Sequence, residues 1–314
     1  MDLWLQFIVC SALIVMSGAK LSKYGDVIAE KTGLARAWVG LIMLASITSM
    51  PELVTGISSV AIVGAPDIAM GDLFGSCVYN LTILAVMDFV NGRRPIFSGV
   101  DRAHLLSSGF GVMLLGTAVF SMMLAPSLPS LWHIGIYTPI IVAVYIIGVR
   151  AVYSYEKGGG ARSDVVTTER HAKRYADTSL RRAVWLYVLN AIIIIGAATI
   201  LPFIADELSK ATGLGQSFMG SVFVAMTTSL PEFVVSIAAV RIGAQDMAIA
   251  NMLGSNIFNM LIIAVDDIFY TKGPILSHVS ELHSITGIAA MIMTGIVIVG
   301  ITYPPKSKPR MRLG

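Results

Sequence analysis

The sequence predicts an all-α polytopic membrane protein made of two inverted-topology repeats of five helices, with broken helices meeting at the bilayer midplane. Three observations carry this. Of 314 residues, 55% are hydrophobic and only 13% charged, with a mean hydropathy of +0.78, whereas soluble domains carry about 25% charged residues. Apolar runs of about 20 residues recur, the length a helix needs to cross a ~30 Å hydrocarbon layer. One pattern also occurs twice in register: Thr48-Ser49-Met50-Pro51-Glu52 then Gly75-Ser76…Asn80, and Thr228-Ser229-Leu230-Pro231-Glu232 then Gly254-Ser255…Asn259. A doubled pattern inside consecutive apolar runs marks an internal duplication.

The first repeat, residues 1–152, opens with an apolar run at 3–19. It lacks a basic start and a small-residue cleavage site, so it is expected to be a membrane helix rather than a cleaved leader. Helices follow at 37–64, 68–90, 104–125 and 131–150. A polar loop, 153–182, joins the halves. The second repeat, 183–314, places helices at 183–203, 217–240, 246–270 and 282–303, then a basic tail from Lys306 to Arg312. A tenth helix, the counterpart of 131–150, is expected after that tail and is missing from this chain. Cys10 and Cys77 lie in apolar segments with no metal-type or disulfide spacing.

Basic residues set the orientation. With the N-terminus outside, 20 of the 22 Lys and Arg residues fall on the cytoplasmic side, and only Lys210 and Lys272 fall outside. The central loop is then cytoplasmic. Five helices is an odd number, so the second copy enters from the opposite face, and an antiparallel duplication puts a shared site near the midplane. Within it Glu52 pairs with Glu232 and Ser49 with Ser229. After one inserted residue, Asp67 pairs with Asp246, Asp72 with Asn251, Ser76 with Ser255, Asn80 with Asn259 and Asp88 with Asp267.

A carboxylate in mid-membrane costs at least ~2.5–3.5 kcal/mol and needs a partner. Glu52 and Glu232 have no Lys or Arg nearby in sequence. Two converging glutamates repel unless protonated or bridged by a cation. Pro51 and Pro231 remove backbone donors, and the carbonyls of Ala45 and Ala225 are the candidates for release, with the hydroxyls of Thr48, Ser49, Thr228 and Ser229. Ser76/Asn80 and Ser255/Asn259, spaced i, i+4, each share one helix face. An all-oxygen set with two negative charges suits a hard cation such as Ca²⁺ or Na⁺. Singly, each feature has a plainer account: a proline kink, a hydroxyl bonded to its own helix, a protonated packing acid. Their recurrence in both copies favours the ion site.

Asp72 shares a stripe with Ser76 and Asn80. It could add a third carboxylate or act as a protonated link between helices. Asp67, Asp246, Asp88, Asp266 and Asp267 lie near helix ends and are expected at the membrane interface, with an entrance-lining role left open for Asp67 and Asp246. His104 and His283 correspond and are expected to be interfacial, not ligands.

The doubled motif resembles the alpha-repeats of the cation/calcium antiporter superfamily, most closely its prokaryotic sodium/calcium exchanger branch. The resemblance implies ten helices in inverted halves, alternating access, and exchange of Ca²⁺ for Na⁺. By position it makes Glu52 and Glu232 the central ligands, completed by Thr48, Ser49, Thr228, Ser229, Ser76, Ser255, Asn80, Asn259 and the carbonyls of Ala45 and Ala225. Ile47 and Thr227 replace the family's usual glycine, Asn259 stands where some exchangers have an acid, and Asp72 stands where members have Asn.

The expected function is antiport in a prokaryotic cell membrane, with Ca²⁺, Na⁺ and membrane lipid as partners, no resident cofactor and no nucleic acid. Proton/calcium exchange is the alternative, although the Gly-Asn-x-x-Glu signature of proton-coupled relatives is absent. A passive channel fits the duplication and the narrow cage less well. An intramembrane enzyme would need a nucleophile and base, and the repeated site holds neither Cys nor His.

Overall fold

A computed structural model describes residues 2–32, 45–91, 95–124, 127–155, 178–241 and 245–304. The predicted loop at 153–182 and the basic tail lie largely outside these residues. So does the start of the predicted helix 37–64. The described elements are almost all helical: α1 (Leu3–Thr32), α2 (Ala45–Thr48), α3 (Met50–Ser58) running on as a π-helical turn (Ser59–Val63), α4 (Pro66–Val90), α5 (Ala103–Leu124), a hairpin of β1 (Ser130–Leu131) and β2 (Ile134–Gly135), and α6 (Tyr137–Tyr155). The second half follows with α7 (Leu180–Thr212), α8 (Gln216–Phe218), a π-helical turn (Met219–Val224), α9 (Ala225–Arg241), α10 (Gln245–Phe269), a 3₁₀ turn (Ile275–Ser277) and α11 (Leu282–Thr302). Among the described residues, eight helical stretches are long and apolar enough to span a membrane.

Two predicted boundaries are corrected. The first helix runs to Thr32 instead of ending at residue 19, so Lys20, Lys23 and Lys31 sit on helix rather than in a loop. The sixth runs from Leu180 to Thr212 and carries Asp206 and Lys210 on its last turns, four residues apart and ion-paired at 2.6 Å. Hydropathy marks where a helix leaves the apolar layer; intrahelical bonding continues past that point when the exposed residues favour it.

Apolar side chains form two clusters. One joins α4, α5, α6, α10 and α11 around Phe74, Leu84, Leu114, Ile141, Met252 and Ile263. The other joins α1 and α7 through Phe7, Ile14, Ile194 and Leu201. The site lies where they meet: Gly18 of α1 backs onto Pro231 of α9, where a Cβ would stand 2.5 Å from the proline Cγ.

The inverted repeat is written in matched hydrogen bonds. Ile96 N–H donates to Asp88 at 2.6 Å, and its counterpart Ile275 N–H donates to Asp267 at 2.7 Å. His104 contacts Asp246 of the other repeat at 2.9 Å, and His283 contacts Asp67 at 2.9 Å. Asp246 and Asp67 also accept from the Asp101 and Ser280 amides, at 2.8 and 2.7 Å. Asp67 and Asp246 therefore tether the two repeats while staying partly exposed, and both histidines are buried.

Candidate ion-binding site

The site is assembled by two broken helical runs and the two helices that follow them. In the first run α2 ends at Thr48, Ser49 turns, and α3 restarts with Pro51 in its first turn. A proline is tolerated there because the first helical N–H groups have no intrahelical partner. In the second run Pro231 lies within α9, where it removes the bond normally made to the carbonyl four residues earlier, that of Thr227.

The carbonyls of Ala45 and Ala225, expected among the ligands, also lie within bonding distance of groups on their own helical runs. The Ala45 carbonyl accepts the Ser49 N–H at 3.0 Å, and the Thr48 and Thr228 hydroxyl oxygens lie 3.1 and 3.2 Å from the Ala45 and Ala225 carbonyl oxygens. Neither proline stands four residues after these alanines, so neither frees them.

The side chains converge. Ser49 Oγ of the first motif donates to Glu232 Oε1 of the second at 3.0 Å. Thr228 Oγ1 donates to Asp72 Oδ1 at 2.7 Å, and its counterpart Thr48 Oγ1 donates to Asn251 Oδ1 at 3.3 Å. Ser76 Oγ lies 3.4 Å from both Asp72 Oδ1 and Thr228 Oγ1. Glu52, Glu232 and Asp72 are fully buried and within electrostatic reach of one another. Both carboxylate oxygens of Glu52, one each of Glu232 and Asp72, the hydroxyls of Ser229 and Ser255, the Asn80 Oδ1 and both amide atoms of Asn259 are buried without a hydrogen-bond partner. Buried polar atoms are ordinarily partnered, and here a group of them, nearly all oxygens, is gathered without hydrogen-bond partners. Among the described residues no three Asp, Glu, His or Cys side chains cluster closely enough to hold a metal alone, leaving hydroxyls and amides to complete any coordination.

Sequence reasoning missed Asn256. Asn80 Nδ2 donates to Asn256 Oδ1 at 3.0 Å, and Asn256 Nδ2 donates to the Cys77 carbonyl at 3.3 Å, tying α4 to α10. Its equivalent in the first repeat is Cys77, so the repeat comparison gave no signal.

Asp266 and Asp267, expected near the membrane interface, lie in the last turn of α10 and are both fully buried in the protein. Asp267 accepts from the Tyr137 and Thr138 hydroxyls and from the Gly135 and Ile275 amides. The hairpin and the turn after α10 fold back over Asp267 and leave its side chain fully buried.

The sequence pattern of the sodium/calcium exchanger protein family matches residues 3–153 and 182–312. The chain belongs to the sodium/calcium exchanger family. Within it, the chain is 26% identical over 266 residues to the inner membrane protein YrbG of Escherichia coli, covering 84% of this chain and 78% of that one. It is 25% identical over 282 residues to the sodium/calcium exchanger MaX1 of Methanosarcina acetivorans, covering 79% and 77%. Its fold is that of the solved sodium-calcium exchanger NCX_Mj, with a TM-score of 0.60 at 20% identity over 96% of this chain and 91% of that one. The fold class is that of an integral membrane protein in two inverted halves, and the family is one of membrane exchangers.

Proposed function

We propose that this protein is a secondary antiporter that exchanges Ca²⁺ for Na⁺ by alternating access at a site centred on Glu52 and Glu232. The observation that carries the proposal is the Ser49–Glu232 hydrogen bond across the repeats, beside a Glu52 carboxylate buried with no partner. Thr48, Ser49, Thr228, Ser229, Ser76, Ser255, Asn80 and Asn259 supply the neutral oxygens, with Asp72 as a third acid. A hard cation takes six to eight such oxygens when it is Ca²⁺.

Exchange rather than leak follows from the charge. Cation-loaded forms are neutralised and free to switch, whereas the empty cage would have to close on bare carboxylates at a cost of several kcal/mol per ion. The repeats are taken as residues 1–152 and 183–314 in a cell membrane, with the N-terminus outside and residues 153–182 cytoplasmic.

The test is ⁴⁵Ca²⁺ uptake into Na⁺-loaded proteoliposomes with pH clamped equal on both sides. Uptake should follow the outward Na⁺ gradient, and Glu52→Gln and Glu232→Gln should each lower it by at least about 100-fold, the factor matching ~3 kcal/mol for a stripped buried charge site. Uptake driven only by a pH gradient would replace Na⁺ with H⁺ as the coupling ion. Uptake unaffected by either Gln variant would remove the glutamates from the site.

A further inference from the structure

Asp266 stands outside the duplicated motif. It is fully buried, and among the described residues neither carboxylate oxygen has a hydrogen-bond partner. Both oxygens press on Gly56 of α3: a Cβ at that position would stand 2.6 Å from Oδ2 and 2.8 Å from Oδ1. The neighbouring Thr55 hydroxyl is also buried and unpartnered. Gly56 lies one turn beyond Glu52, about 6 Å along the helix. Asp266 lies seven residues beyond Asn259, so it continues the α10 stripe that faces the ion site.

The pair has no twin. By the register of the repeats, Met87 stands where Asp266 would be in the first half and Ser236 where Gly56 would be in the second. Duplication therefore does not account for it.

We propose that Asp266 is a proton-binding site in its own right, seated in the seam between the Glu52 helix and α10. A hard cation needs several oxygens, and the carboxyl faces a C–H wall at Gly56; a proton needs only the carboxyl itself. An unpartnered ionised acid in the membrane costs at least ~2.5–3.5 kcal/mol, which a bound proton removes. The charges acting on Asp266 are both acidic, Asp72 of α4 and Asp267 of its own helix. The other ionisable groups on elements packed against α10 are Glu52 of α3, Asp67, Cys77, Tyr79 and Asp88 of α4, Glu232 and Arg241 of α9, Tyr137, Tyr145, Arg150, Tyr153 and Tyr155 of α6 and His104 of α5, the last engaged by Asp246 at the far end of α10; neither arginine is among the charges acting on Asp266. Lys272, the cation that follows α10, is exposed, with its ammonium beside Gly64. Proton binding thus favours the seam closed with α3 in place, and proton loss favours α3 moving away so that water reaches the carboxylate.

Infrared titration of reconstituted wild type and Asp266→Asn tests this directly. A protonated-carboxyl band that bleaches with alkali should be present in the wild type and missing from the variant; identical bands in both overturn the proposal. Flux gives a second readout. Asn imitates the protonated acid, so D266N should keep the wild-type acid-side rate at every pH, while the wild-type rate rises at least about threefold as alkali ionises the buried carboxyl. A D266N profile that follows the wild type overturns the proposal. If D266N fails to fold, Asp266→Glu must shift the band, and an unmoved band is the same negative answer. The infrared result stands even if no calcium flux is found, which would instead count against the transport reading.

Discussion

Ser49 hydrogen-bonds to the acid of the opposite repeat, whereas the equivalent Ser229 has no partner for its hydroxyl. A hydrogen bond to a charged group is worth about 1.5–3 kcal/mol. Ser49→Ala should therefore weaken apparent Ca²⁺ affinity roughly 10- to 100-fold, read as the half-saturating concentration for uptake. Asp72 offers one oxygen to Thr228 and Ser76 and keeps the other unpartnered. Because charge count tunes calcium affinity, Asp72→Asn should favour Na⁺ over Ca²⁺ by roughly tenfold in competition binding. Glu52, Glu232 and their hydroxyl neighbours were legible because they recur at one spacing in both halves. The bond from the Ser49 N–H to the Ala45 carbonyl was not, because bonding within a turn depends on where the helix breaks.

Between elements, α4 and the π-helical turn at Met219–Val224 meet backbone to backbone. A Cβ on Gly75 would stand 2.5 Å from the Ser221 carbonyl oxygen, and one on Gly71 would stand 2.8 Å from the Ser221 nitrogen. Small residues four apart allow such approach in membranes. Gly75→Val should separate the pair, with a loss of monodisperse protein in detergent size-exclusion chromatography. The two adjacent acids of α10 should also diverge. Asp267 receives four hydrogen bonds from α6, the hairpin and the turn after α10, so Asp267→Asn should cost roughly 2–4 kcal/mol and lower the midpoint of thermal aggregation. Asp266→Asn removes no such bond and should leave that midpoint nearly unchanged. In sequence the two are indistinguishable neighbours near a helix end. Their difference comes from which side of α10 each occupies and from segments far away that fold over it.

For the whole molecule, the orientation drawn from basic residues is open to labelling. A cysteine placed at Gly213, in a Cys10→Ser, Cys77→Ser background, should react with an impermeant reagent on intact cells. A cysteine at Gly159 in the central loop should react only after permeabilisation. The reverse pattern would invert the proposed topology. At this scale the sequence by itself determined that the chain spans the membrane, that it holds two inverted copies, and that an acid from each belongs to one constellation. Apolar length and repetition are properties of the chain that no folding step can change. Tertiary structure alone decided that α1 and α7 share a second core with Ile68 of α4 and Met219 of the π-helical turn, that each histidine reaches the other copy's aspartate, and that Asp266 is sealed against Gly56. Those outcomes depend on distances between segments remote along the chain, and they arise only once close packing has chosen which faces meet.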